Sequence, residues 1–330
     1  IDVWAMDVAR FGDYASPQYG TIKSSENYER RFIMTFPNET LPKGRKQKTT
    51  ALYDRFVNQG AVMGDSFGLE NVLWFANNKE DAHEEPTIKR SRSHDYVSRE
   101  VINVRENVGL IEVANFSKHE FKGTDARKFL DHVMAGKLPK PGRISLSPML
   151  SYRGKLCGDL TVACFDENEF MVFGSGAAQE MHRRWFESHL DKFDVNYKNR
   201  SDEFHGISIA GPNSRKVLEK IVRDDVSNEK FKFRDSRRMF VGGVPAIINR
   251  ISFTGELGYE IYVAPHYQIK LYEELMEAGK EFNIKPFGGR ALMSMRLEKN
   301  WGAWTLDYRP DFTAKQTGLD MFINWDKDFI

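Results

Sequence analysis

Two carboxylates stand at the same step of two similar stretches. Asp159 comes five residues after Gly154 in Tyr152-Arg153-Gly154-Lys155-Leu156-Cys157-Gly158-Asp159, and Glu260 five after Gly255 in Phe253-Thr254-Gly255-Glu256-Leu257-Gly258-Tyr259-Glu260. Each is followed by strand-forming apolar residues, Leu160 and Val162 or Ile261 and Val263. A carboxylate in such a strand is costly to bury unless it has a partner or a task. Either acid alone fits an exposed, alternating strand face equally well. The matched pair favours a central pocket in which the two acids take different roles.

Other constellations are weaker. There is no His-Glu-x-x-His, no Cys-x-x-Cys and no ligand-spaced cluster among the eight histidines, so no metal site is expected. His182 and His189 fall on one predicted helix beside Arg183 and Arg184 and read as packed or solvated. Gly174-Ser175-Gly176 occupies a strand-to-helix turn, but its sixth position is Gln179 and no acidic strand end follows. It reads as a tight turn or a close backbone approach to a ligand. Phosphate-loop, nucleophile-elbow and Cys-His patterns are lacking, which argues against covalent hydrolysis.

An internal repeat supplies the elements that must position these groups. Gly123-Thr124-Asp125-Ala126-Arg127-Lys128-Phe129-Leu130 matches Gly211-Pro212-Asn213-Ser214-Arg215-Lys216-Val217-Leu218 at an offset of 88. Each copy follows a predicted strand, 116–121 or 205–210, and opens a helix whose apolar positions form one face. Downstream, the two acid-bearing hairpins match at an offset of 101 and are followed by helices over 177–189 and 266–282. The pattern predicts an α+β fold of two duplicated strand-helix-hairpin-helix units, closed by a helix over 288–300. Residues 1–50 read as a connecting segment, with a helix within 15–31 after Pro17 and a linker at 37–45. The units are expected at 51–202 and 203–330. A polar stretch at 77–95 reads as a solvated loop, with an anion clamp from Arg90 and Arg92 as the less favoured alternative.

Composition narrows the function classes. The chain has 330 residues, 41% hydrophobic and 29% charged, with 48 basic and 47 acidic side chains giving a net charge of +1. That balance excludes a disordered chain and argues against a nucleic-acid partner. No apolar run approaches the ~20 residues that cross a bilayer, so no membrane association is expected. Two cysteines, Cys157 and Cys164, lie seven apart on one predicted strand and face opposite ways. Sparse cysteine suits a reducing compartment: the cytoplasm, or the mitochondrial matrix in a eukaryote. A first residue of Ile1 points to a piece of a longer polypeptide.

Five segments carry a resemblance. Ser252-Phe253-Thr254-Gly255-Glu256-Leu257-Gly258-Tyr259-Glu260, Ala291-Leu292-Met293-Ser294-Met295-Arg296-Leu297-Glu298-Lys299 and Gly211-Pro212-Asn213-Ser214-Arg215 resemble the aminomethyltransferase (glycine-cleavage T-protein) family. Trp4-Ala5-Met6-Asp7-Val8-Ala9-Arg10-Phe11-Gly12 and Gly68-Leu69-Glu70 resemble the stretch that joins flavin and folate domains in dimethylglycine and sarcosine dehydrogenases. The resemblance implies a folate-binding fold with a central pocket for tetrahydrofolate. There a one-carbon unit from demethylation of a methylated amine is captured as methylene-tetrahydrofolate. It makes Asp159 the catalytic aspartate and Glu260 the pterin-binding glutamate, and sets Leu146, Phe116, Phe253 and Ser175 in the folate pocket.

It also implies FAD in a domain or subunit outside this chain, as partner, and a C-terminal barrel that is absent here. Phe253 stands where many members have tyrosine, Ser175 where they have asparagine, and Leu292 where glycine-cleavage members have an arginine reaching the folate tail. Lys315-Gln316-Thr317-Gly318 replaces the usual Pro-x-Glu-Ala-Gly. Two alternatives stay open: a non-catalytic folate-binding scaffold, and a methyltransferase demethylating a sulfonium donor such as dimethylsulfoniopropionate.

Overall fold

The computed structural model describes residues 7–37 and 39–328, with Ala9 as backbone only; residues 4–6 of the leading motif lie outside this range. The first helix, α1 (Pro17–Glu29), starts where Pro17 fixes a helical φ, and the Ser16 hydroxyl caps it by accepting from the Tyr19 N–H at 3.1 Å. Next come α2 (Tyr53–Asn58), the hairpin β1 (Ala61–Ser66) and β2 (Leu69–Phe75), α3 (Ser93–Glu106) and β3 (Val108–Glu112). The first repeat holds β4 (Phe116–Lys122), α4 (Ala126–Val133), β5 (Arg143–Leu150), β6 (Leu156–Asp166), β7 (Glu169–Ser175) and α5 (Gln179–Glu187), and β8 (Asn196–Asn199) follows it. The second holds β9 (His205–Ala210), α6 (Ser214–Glu219), β10 (Ser236–Val241), β11 (Val244–Asn249), β12 (Gly258–Val263) and α7 (Gln268–Gly279). The strand β13 (Ile284–Pro286) and helix α8 (Gly289–Glu298) come last, before short helical turns at Lys315–Thr317 and Leu319–Phe322.

The repeat glycines have a backbone reason. Gly123 (φ +144°) and Gly211 (φ +134°) turn each strand into its helix, and a Cβ would meet the Asp194 carbonyl oxygen at 2.3 Å or the Asn107 carbonyl oxygen at 2.6 Å. Two sheets result. One has the order β5-β6-β7-β4-β8; the other, β10-β11-β12-β9-β3-β13, repeats its first four strands. Helices α4 and α5 cover the outer face of the first through Phe129, Leu130 and Phe186. Helices α6 and α7 cover the outer face of the second through Val217, Leu218, Leu271 and Leu275. The inner faces meet in a shared core of Ile144, Met171 and Phe173 against Ile111, Ile247 and Tyr262. Phe173 and Tyr262 stack with centroids 4.7 Å apart. At one edge β5 and β10 are stitched together by Ile144 N–H to the Arg234 carbonyl (2.9 Å) and Ser236 N–H to the Gly142 carbonyl (2.9 Å).

This topology corrects one sequence expectation. Strand order makes β6 the counterpart of β11 and β7 that of β12, so Asp159 on β6 and Glu260 on β12 are not equivalent positions. The hairpin likeness was local: a glycine turn followed by an apolar strand recurs wherever a hairpin leads into a core. The helix expected over 15–31 is present as α1, and no closed barrel is formed among the described residues. Cys157 and Cys164 both lie on β6 and are free. Among the described residues no helix is long and apolar enough to cross a membrane.

Candidate active site in the cavity between the sheets

Although they come from non-equivalent strands, Asp159 and Glu260 open into one cavity of about 590 Å³. Phe116, Leu146, Phe253 and Ser175 line it as well, so all six residues singled out from the sequence meet there. The volume is that of a pocket for a drug-sized molecule.

Asp159 lies opposite Pro148 in the β5–β6 ladder and projects inward on the same side as Thr161. Burial pushes its carboxyl up to about 7, opposed by its own backbone N–H. Glu260 is 6% exposed, and its Oε2 accepts from the Tyr262 hydroxyl at 2.8 Å. Burial pushes this carboxyl up to about 7 too, offset by that hydroxyl and by the charges of Lys299 and Lys118. Lys118 is wholly buried and donates to the carbonyls of Ala114 (2.8 Å) and Ser201 (3.3 Å), with burial pulling its ammonium down to about 7. Lys299 donates to the Ser252 carbonyl at 2.8 Å. Two acids poised near neutrality in one apolar cavity can exchange protons with a ligand at physiological pH.

The scaffold around Asp159 is tight. His182, on α5, donates through Nε2 to the Cys157 carbonyl at 3.0 Å, two residues before the acid. A Cβ on Gly158 would lie 2.7 Å from Nε2, and one on Gly174 3.3 Å from Nδ1. The imidazole therefore occupies a notch that two glycines leave open, and burial keeps it neutral with a pKa of about 4. The close approach expected of the Gly174-Ser175-Gly176 turn is present: a Cβ on Gly176 would sit 2.0 Å from the Asn115 carbonyl oxygen. Helix α8, which brings Met293 to the cavity, is tied to α3 where Glu100 accepts from the N–H groups of Gly288 (2.9 Å) and Phe75 (2.7 Å).

Sequence reasoning missed several wall residues. The loop 301–306 with Trp301 and Trp304, the hairpin tip at Phe67, and Arg234 all line the cavity. Phe67 (φ +52°), Arg234 (φ +68°) and Thr305 (φ +72°) hold left-handed backbones, which non-glycine residues seldom adopt and which gather at ligand sites. Phe67 before Gly68 was the one visible hint. Leu292 does not line the cavity; it packs against the inter-sheet core. Arg92 pairs with Asp81 at 2.7 Å beside a separate polar cleft that Arg90 lines. Among the described residues no group of three or more His, Cys, Asp and Glu side chains is placed to hold a metal ion.

Known proteins resemble this chain along its whole length. Residues 52–327 match the family model described as the GCVT N-terminal domain. The chain belongs to the GCVT aminomethyltransferase family. Residues 1–50 match a second model, the FAD dependent oxidoreductase central domain. Human mitochondrial dimethylglycine dehydrogenase is 34% identical over the whole chain, and human mitochondrial sarcosine dehydrogenase is 26% identical over 96% of it. The alignments take in only 38% and 39% of those proteins. An aminomethyltransferase of Thermoanaerobacter pseudethanolicus is 28% identical over 68% of this chain and 61% of its own length. The crystal structure of aminomethyltransferase T of the glycine cleavage system from Bartonella henselae shares the fold at a TM-score of 0.71 and 21% identity, covering 84% of this chain and 70% of that one.

Proposed function

We propose that the cavity holds the reduced pterin of tetrahydrofolate, and that this GCVT module captures there a one-carbon unit released by flavin-linked demethylation of a dimethylglycine- or sarcosine-like amine. The observation that carries this reading is the pair of near-neutral carboxylates opening into one apolar cavity. Bound tetrahydrofolate would supply a nucleophilic ring nitrogen. Glu260, held by Tyr262, suits neighbouring pterin N–H donors that a carboxylate accepts bidentately. Asp159 is free to take up a proton or to face a cationic adduct. Phe116, Leu146 and Phe173 give the ring apolar walls. Phe253 offers no hydroxyl, and Ser175 a short one.

FAD would sit in a part of the protein outside this chain, consistent with the match of residues 1–50. Joining the two activities would keep formaldehyde from escaping, since tethering raises the effective concentration of the acceptor. The mitochondrial location named for the two dehydrogenases favours the matrix setting over the cytoplasmic one.

Calorimetric titration with tetrahydrofolate tests the reading. Glu260→Gln is expected to weaken binding at least tenfold, and Asp159→Asn to leave affinity within a few-fold while abolishing methylene-tetrahydrofolate formation in the flavin-containing protein. If neither substitution alters affinity or turnover, the reading fails. Binding without transfer in the unsubstituted protein would select a folate-binding scaffold, and methyl-tetrahydrofolate as product a sulfonium demethylase.

A further inference from the structure

Among the described residues the cavity wall contains two cations, and they are placed differently. Lys299 has its ammonium on the Ser252 carbonyl and lies close enough to Glu260 to share its field. Arg234 is exposed beside Phe233, itself 63% exposed, so both stand where the cavity meets solvent. The Arg234 guanidinium is held by one end only. Its Nε–H donates to the Ile144 carbonyl at 3.0 Å, and among the described residues no carboxylate pairs with the two terminal NH2 groups.

The backbone under this side chain is fixed. The Arg234 N–H donates to the Arg250 carbonyl (3.1 Å), its own carbonyl accepts from Ile144 N–H (2.9 Å), and the next residue, Asp235, forms an ion pair with Arg143. Its φ of +68° is a conformation that glycine or asparagine adopts with far less strain. A strained arginine at a cavity mouth, with its stem anchored and its terminal donors free, is preorganised for a planar anion.

We propose that Arg234 anchors an anionic tail on the ligand of this cavity, its terminal NH2 groups taking a carboxylate that projects from the mouth. The assignment rests on the folate reading and deepens it: the tail is the glutamate, or γ-linked glutamates, that a folate carries beyond its ring. It also gives the tail a cation in a chain where Leu292 is turned into the core.

The test compares tetrahydrofolate with tetrahydropteroate, the same ring system without glutamate, on the unsubstituted protein and on Arg234→Gln and Arg234→Lys. The unsubstituted protein should bind tetrahydrofolate ~10–100-fold more tightly than tetrahydropteroate, the range of a charge-assisted pair. Arg234→Gln should bring that ratio to about one while leaving tetrahydropteroate affinity unchanged, and Arg234→Lys should restore part of it. Circular dichroism and the retained tetrahydropteroate affinity establish that the variants fold. A ratio that survives Arg234→Gln, or a ratio of one in the unsubstituted protein, overturns the Arg234 assignment and leaves the folate reading standing. Failure of the unsubstituted protein to bind either compound overturns both.

Discussion

With Asp159 in the proposed transfer role, function and stability pull in opposite directions at this residue. Its carboxyl titrates near 3.8 in an unfolded chain and near 7 in the folded one, because burial disfavours the charged form. The folded state therefore binds the proton more tightly, so the group's contribution to stability is fully present below pH ~4 and is lost as pH rises through about 7. At ~1.4 kcal/mol per unit this loss reaches about 4 kcal/mol by pH 8. Asp159→Asn removes the charge and keeps the shape. Its thermal midpoint should therefore exceed that of the unsubstituted protein at pH 8, with the difference shrinking steadily towards pH 4. Methylene-tetrahydrofolate formation should be lost in the same variant, falling by at least ~10²–10³-fold, the typical cost of losing one preorganised group. A midpoint difference that does not change with pH would show that the carboxyl is solvated in the folded state.

At the scale of elements, the placement of Asp159 depends on how β6 and α5 meet. The His182 bond to the Cys157 carbonyl fixes the start of β6, and Gly158 and Gly174 leave room for the ring. His182→Phe keeps an aromatic filler and removes the donor, so a buried carbonyl loses its side-chain partner at ~1–3 kcal/mol. His182→Gln can present an amide N–H from nearly the same place. The expected pattern is a transfer rate down about tenfold in His182→Phe with tetrahydrofolate affinity unchanged, and recovery in His182→Gln. Equal losses in both variants would reduce His182 to core filling.

This level was only partly legible in the sequence. Helical periodicity located α4 and α7, and alternation placed β9 at its observed bounds, because those signals are local. The correspondence of β6 to β11 was hidden, since strand order comes from contacts far apart in sequence. For the same reason the loop 301–306 and Arg234, which carry no motif, could not be foreseen at the cavity. The six site residues were found through family likeness and the two acids. The equivalence of those acids along the sequence is not kept in the strand order.

At the scale of the whole molecule, the two repeats are interlocked. Strand β3, from the earlier half of the chain, lies between β9 and β13 in the sheet of the second repeat, and Phe173 and Tyr262 share one core. We therefore expect that a cut after residue 202 does not fall between independent folding units. It would take β3 away from β9, leave a row of backbone N–H and C=O groups of β9 unpaired, and expose the apolar inner face of both sheets. Residues 203–330 expressed alone should lack fixed near-ultraviolet circular dichroism and should aggregate. Co-expressed with residues 51–202, they should recover a folded complex. The uncut chain should unfold in a single step, with tryptophan fluorescence and far-ultraviolet circular dichroism coinciding, because neither sheet can lose its inner face without exposing the other's. Two separated transitions, or a 203–330 fragment with native-like tertiary signals, would show that the repeats are autonomous. The cavity between them would then be a joint between independent bodies, and Asp159 and Glu260 would be held at a separation free to vary.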